Sequence, residues 1–100
     1  MIVYNVTVNI DESVHDEWLD WMKQVHIPNV LRTGMFTDNR FLKVLVEEEM
    51  GGITYAIQYT CDSLEKFRQY EEQFAAALRA EVDEKYNGKF VAFRTLLQYV

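Results

Sequence analysis

Residues 1–10 alternate: Ile2, Tyr4, Val6, Val8 and Ile10 are apolar, while Asn5, Thr7 and Asn9 between them are polar. A period of two sends successive side chains to opposite faces, so this segment predicts a half-buried strand. The period then changes. Val14, Trp18, Trp21, Met22 and Val25 recur at helical spacing, with Asp11 or Ser13 placed to cap the first turn. Helix A is predicted over 12–26 and stopped by Pro28, whose ring disfavours the α region at Ile27. Residues 27–35 read as a connection containing Gly34. Phe36 to Glu47 reads as strand two with imperfect alternation: Phe36, Leu42, Val44 and Val46 share one phase, Phe41 and Leu45 the other. A bulge, or burial on both faces, accounts for that.

Glu47-Glu48-Glu49-Met50-Gly51-Gly52 reads as a hairpin turn, the two glycines supplying positive φ. Strand three covers 53–61, with Ile53, Tyr55, Ile57, Tyr59 and Cys61 in one phase. Asp62 is the predicted cap of helix B, with Glu65 at the capping-box position. Leu64, Phe67, Phe74, Leu78 and Val82 form its apolar stripe, and Asn87-Gly88 ends it near residue 86. Residues 89–99 are the last strand. The order strand, helix, strand, strand, helix, strand, joined by right-handed crossovers, predicts an α+β fold. It is a ferredoxin-like βαββαβ sandwich: one domain over 1–100, with a four-stranded antiparallel sheet in the order 4-1-3-2 and two helices on one face.

Two helices leave the other face of the sheet bare. If Ile2, Tyr4, Val6, Val8 and Ile10 face the helices, so do Tyr55, Ile57 and Tyr59, and, on strand four, Val91, Phe93 and Leu97. The bare face then carries Val3, Asn5, Thr7, Thr54, Ala56, Gln58, Phe90, Ala92, Arg94 and Leu96. Such a face is too apolar for water and too polar for an ordinary core. Two copies stacked across a two-fold axis satisfy both facts, so a homodimer through this face is expected. Asn5, Thr7, Gln58 and Arg94 then line the dimer cavity or a ligand site.

Composition narrows the classes. The chain has 100 residues, 49% of them apolar and 14% aromatic, which excludes disorder. No apolar run approaches the roughly 20 residues of a membrane span, and Met1 leads straight into a strand with no signal-peptide pattern. A net charge of −6 opposes nucleic acid and anionic membrane surfaces as partners. Cys61 is the single cysteine, so a disulfide framework and a thiolate metal site are excluded and a reducing cytoplasm is expected.

The candidate chemistry is sparse. His26 closes the predicted helix A, where an imidazolium could bind an anion or move a proton; equally it could cap free carbonyls. Asn5 and Arg94, on adjacent strands, could hold an enolate or carboxylate, or pair across a dimer seam. Trp18 and Trp21 read as core. Glu47-Glu48-Glu49 reads as a solvated hairpin tip, and His15 lies roughly 16 Å along the helix from His26, too far to share a metal. Cys61 reads as a small hydrophobe. No phosphate loop, nucleophile elbow, CxxC or HExxH is present, and no metal or cofactor is implied.

Ile2-Val3-Tyr4-Asn5-Val6-Thr7, His26-Ile27-Pro28, Gly51-Gly52-Ile53-Thr54-Tyr55 and Phe90-Val91-Ala92-Phe93-Arg94-Thr95-Leu96-Leu97 resemble, end to end, a bacterial family of small proteins classed as a domain of unknown function. More distantly, the element order and His-x-Pro resemble the dimeric α/β-barrel superfamily. That group includes cofactor-independent quinone monooxygenases, haem-degrading monooxygenases and muconolactone-isomerase-like enzymes. The resemblance implies a homodimer with a cavity between sheet and helices. Its monooxygenases place an Asn on strand one and a Trp and His on the second helix. Asn5 matches; helix B has neither Trp nor His.

Two functions follow. One is a ligand-binding or accessory homodimer, acting without catalysis on a small apolar ligand. The other is a cofactor-independent enzyme, monooxygenase- or isomerase-like, acting on a small apolar or aromatic carbonyl compound, with His26 as the catalytic proton-transfer group.

Overall fold

The computed structural model describes residues 1–46, 49 and 51–100. Its strands are β1 (Ile2–Ile10), β2 (Asp38–Lys43), β3 (Ile53–Cys61) and β4 (Phe90–Gln98). Its α-helices are α1 (His15–Trp21), α2 (Ile27–Leu31), α3 (Leu64–Tyr70) and α4 (Ala76–Tyr86). A π-helical turn, Met22–His26, joins α1 to α2 without a break, and a second, Glu71–Ala75, joins α3 to α4. Each pair is therefore one continuous rod, over 15–31 and 64–86. The antiparallel sheet runs β2-β3-β1-β4, the expected order read from the other edge. No helix among the described residues is long and apolar enough to cross a membrane.

The core lies between the rods and one sheet face. Trp18, Met22, Ile27 and Val30 from the first rod meet Phe67, Tyr70, Ala75 and Tyr86 from the second over Tyr4, Val8, Tyr55, Ile57 and Tyr59. The buried positions show what the π turns do. Met22 to Ile27, and Tyr70 to Ala75, are steps of five residues, where a plain α-helix would step three or four. The extra residue turns Val25 outward, to 40% exposure, and Ile27 inward.

The first rod corrects the predicted end of helix A. The helix does not stop at residue 26 but runs through Pro28 to Leu31. A proline ring normally meets the carbonyl four residues back. Here the Ile27 N–H donates to the Met22 carbonyl, five residues back. The widened turn gives the ring room, and Pro28 simply begins the next α-helical stretch. The second rod corrects a cap. Ser63, not Asp62, precedes the first helical residue, and its Oγ accepts from the Lys66 N–H at 3.2 Å. Asp62 sits one position too early for that bond.

β2 is shorter than predicted, beginning at Asp38 after the buried Phe36 and ending at Lys43. The rest of the hairpin tip, with Glu47, Glu48 and Met50 of the predicted turn, lies outside the described residues. Gly51 and Gly52 do take positive φ, 77° and 73°. At Gly52 a side chain is also barred sterically, because a Cβ would run into the Asn9 side chain and come within 2.9 Å of the Ile10 carbonyl.

The phase of β4 is the reverse of the one predicted. Residues paired directly across antiparallel strands share a face. Tyr4 pairs with Leu96, Val6 with Arg94, Val8 with Ala92 and Ile10 with Phe90, so these β4 residues face the rods. Val91, Phe93 and Leu97, paired with Asn9, Thr7 and Val3, lie on the open face. Both phases of β4 are apolar, so alternation alone carries no information there. The register is set at the strand's start, where the Asp11 N–H donates to the Lys89 carbonyl at 2.8 Å and the Lys89 N–H to that of Tyr86 at 2.9 Å.

Candidate functional site

The helix side of the sheet encloses a cavity of about 50 Å³. Its floor is Tyr4, Val6 and Val8 of β1, Ile57 and Tyr59 of β3, and Phe90, Ala92 and Arg94 of β4. The first rod contributes Trp18, Met22, His26 and Val30; the second contributes Tyr70, Leu78, Arg79, Val82 and Asp83. At roughly 10–15 Å³ per water on this measure, the space holds about four waters. A π turn flanks it on each side, and such turns recur at functional sites because they displace side chains from the regular helical rows.

His26 lies at the end of the first π turn. Its ring stacks on Trp21, with centroids 5.4 Å apart and planes 23° apart. Its Nδ1 is buried and has no hydrogen-bond partner. Burial lowers its pKa from 6.5 to about 4, so the ring is neutral at neutral pH. This removes the helix-end position on which both sequence readings of His26 were based. In mid-rod it has no terminal carbonyls to cap, and no helix C-terminus favours its imidazolium.

Arg79 is the residue that sequence reasoning missed. It sits four residues after Ala75 and three before Val82, in the buried stripe of the second rod. An arginine at a core-facing position was the available signal. Its Nη2 donates to the Tyr4 hydroxyl at 3.1 Å and to Glu71 Oε1 at 2.9 Å, while its Nε is buried without a partner. Burial holds the Tyr59 and Tyr70 hydroxyls well above the ordinary phenol range, so both stay neutral; the charges of Arg79 and Arg94 pull Tyr70 part of the way back.

The structure brings His26 and Arg94 to one cavity but does not bring the expected Asn5 to it. Asn5 pairs with Thr95 and Gln58 on the open face. There Gln58 Nε2 donates to Asn5 Oδ1 at 3.3 Å, and Asn5 Nδ2 donates to Thr7 Oγ1 at 3.1 Å. The proposed Asn5–Arg94 grip on one anion is therefore ruled out: the two side chains leave opposite faces of the sheet. Trp18 is core, 1% exposed, whereas Trp21 is half-buried between His26 and Tyr86. Cys61 is fully buried, and burial raises its thiol pKa, so it is an inert core residue.

A second polar chain lies at the start of the first rod. His15 Nε2 is 2.8 Å from the Tyr55 hydroxyl and its Nδ1 2.9 Å from Asp16 Oδ1, tying the helix start to β3. Among the described residues no three His, Cys, Asp or Glu side chains come together as metal ligands.

A family model described as "Domain of unknown function (DUF4286)" matches residues 1–100. No curated protein matches the sequence. Solved structures do match in fold. HapK from Hahella chejuensis is 9% identical with a TM-score of 0.74, covering 100% of this chain and 93% of its own. An ethyl tert-butyl ether D (EthD) family protein from Bacillus halodurans is 12% identical with a TM-score of 0.72, covering 100% of both chains. MhuD from Mycobacterium tuberculosis, a heme-degrader with two hemes in its active site, is 16% identical with a TM-score of 0.65, covering 100% and 96%. At these identities the likeness is one of fold alone, a ferredoxin-like four-stranded antiparallel sheet with helices on one face.

Proposed function

We propose that this chain, which belongs to the DUF4286 family, is a small-molecule-binding protein whose ligand occupies the cavity between rods and sheet. The observation that carries this reading is a cavity between rods and sheet whose mostly apolar wall includes a neutral His26 and two arginines, Arg79 and Arg94. An imidazole held near pKa 4 is a good acceptor and a weak base, so binding is favoured over acid–base catalysis. A porphyrin, as bound by MhuD, does not fit a cavity with room for about four waters.

The working unit in this reading is a homodimer through the open face, where Phe93 is 69% exposed and Val91, Leu97 and Leu42 nearly half exposed. The ordered Gln58–Asn5–Thr7 row beside these apolar side chains suits a seam between two sheets. The lone buried Cys61 suits a reducing cytoplasm.

A second reading rests on His26 and Arg94 sharing one cavity. The neutral His26 would take the α-proton of an apolar or aromatic carbonyl compound and become imidazolium, while the electron pair of the broken C–H bond forms an enolate held by Arg94. Mass spectrometry of small molecules released from the purified protein tests binding. A ligand retained by wild type and lost in His26→Leu is the expected result; no ligand in either overturns the reading. Sedimentation equilibrium at micromolar concentration tests assembly, and a monomer there refutes the dimer.

A further inference from the structure

Three tyrosine hydroxyls meet at the cavity wall. Tyr4, Tyr59 and Tyr70 all line it, and they are close enough that Tyr4 and Tyr70 both bear on the Tyr59 proton, and Tyr4 on that of Tyr70. Arg79 Nη2 donates to the Tyr4 hydroxyl at 3.1 Å. Tyr59 and Tyr70 are only 2% and 3% exposed, yet their hydroxyls form no hydrogen bond among the described residues, whereas the Tyr55 hydroxyl has His15 at 2.8 Å. Nor are they sealed into the packing, as the Tyr86 hydroxyl is, so the surface they keep belongs to the cavity they line. Arg94 leaves β4 opposite Val6, on the rod side, and its charge and that of Arg79 both act on the Tyr70 hydroxyl. Asp83, the one carboxylate on the lining among the described residues, is exposed and pairs with neither arginine. This part of the wall therefore holds O–H donors and positive charge with no acceptor to complete them.

We propose that the ligand is a short-chain monocarboxylate of the size of acetate: its carboxylate accepts from the Tyr59 and Tyr70 hydroxyls beside Arg79 and Arg94, and its alkyl end lies against Val6, Val8 and Ile57. The assignment rests on the cavity being the ligand site. A carboxylate offers about four lone-pair sites on two oxygens, so it completes both hydroxyls at once and gains from the charges beside them. Burial keeps both phenols neutral, so each retains the proton it would donate. Size sets the upper limit. The space of about 50 Å³ admits a molecule of about four heavy atoms, whereas a cavity that takes benzene measures about 150 Å³. Acetate fits that room; an aromatic acid does not.

Amide-correlation NMR of the whole protein, titrated with sodium acetate and with acetamide at constant ionic strength, tests the assignment. A ligand of so few atoms binds no tighter than tens of micromolar, so the titration runs to about 50 mM. Wild type is expected to show saturable shifts at Val6 and Ile57, with acetate at least about tenfold tighter than its neutral amide. Tyr70→Phe removes a hydroxyl that bonds to nothing within the protein. Its far-ultraviolet circular dichroism should match wild type, while its acetate affinity falls about tenfold. Arg94→Gln, at an exposed strand position, should narrow the preference for acetate over acetamide by about threefold or more. Equal affinity for the two compounds, or an acetate affinity untouched in Tyr70→Phe, overturns the carboxylate assignment and leaves the cavity a ligand site. No saturable shift with either compound also overturns it, and the binding reading then rests on the molecules released from the purified protein alone.

Discussion

The two faces of the sheet carry the same kinds of residue and treat them differently. On the open face the polar side chains are satisfied: Gln58 bonds Asn5, Asn5 bonds Thr7, and Asn9 Nδ2 bonds Thr54 Oγ1 at 3.0 Å. The apolar ones there, Phe93 above all, are left in water. Under the rods the apolar side chains are buried, and two polar atoms, His26 Nδ1 and Arg79 Nε, are left without partners. Each face is thus incomplete in a different currency. The open face lacks an apolar partner, as an interface between proteins does. The covered face lacks hydrogen bonds, as a ligand site does.

The largest test of that contrast is truncation on either side. Trp18→Ala, under the rods, is expected to cost about 3–5 kcal/mol of stability in urea unfolding. Phe93→Ala, on the open face, should leave the stability of the isolated protomer within about 0.5 kcal/mol. Comparable losses at the two sites would break the distinction.

Next comes the pH response of His26. Its pKa is 6.5 in the unfolded chain and about 4 in the fold, so between those values the unfolded chain binds the extra proton. The stability linked to this residue is whole above pH 6.5. It falls as pH drops through the window and levels off below about pH 4, a loss of up to about 3 kcal/mol. His26→Leu should remove this component from a stability profile measured across the window. A profile that follows wild type throughout would mean that the imidazole is not buried as described.

A smaller effect is expected at the seam. Phe93→Glu places a carboxylate among Val91, Leu97 and Leu42 and should weaken a dimer by about 2 kcal/mol, or roughly thirtyfold in Kd by sedimentation. The same variant should leave ligand retention by the protomer unchanged. The smallest effect is at Asn5→Ala, which deletes two half-exposed hydrogen bonds and should cost about 1 kcal/mol without touching the cavity. A complete loss of ligand in that variant would put Asn5 back in the site.

Where one period dominates, the fold was legible in the sequence. β1 and β3 show clean alternation, and both lie where the pattern puts them, as does the sheet order that follows from the connections. The failures share a cause: a slip of one residue that hydrophobicity cannot see. In β4 both phases are apolar, and the strand turned over, carrying Arg94 from the open face to the cavity. In the rods a π turn adds one residue between buried positions, so a 3.6-residue period puts Val25 in the core and leaves Ile27 out of it, the reverse of what is found. His26 stands in mid-rod and not at the helix end that Pro28 suggests, and Asn5 and Arg94 are separated by the sheet because β4 takes the other phase. Arg79 escaped because its partners, Tyr4 and Glu71, are 75 and 8 residues away along the chain.

The two π turns bear on how such a pocket arises. Each holds one residue more than an α-helical step between the same buried positions needs. Deleting Val25 would set Met22 and Ile27 four residues apart and close the first turn into a regular helix. The regular ladder would then press a carbonyl against Pro28, with no widened turn to receive the ring. Proline and widened turn are therefore matched within the rod: the ring needs the extra residue, and together they form the stretch that carries His26.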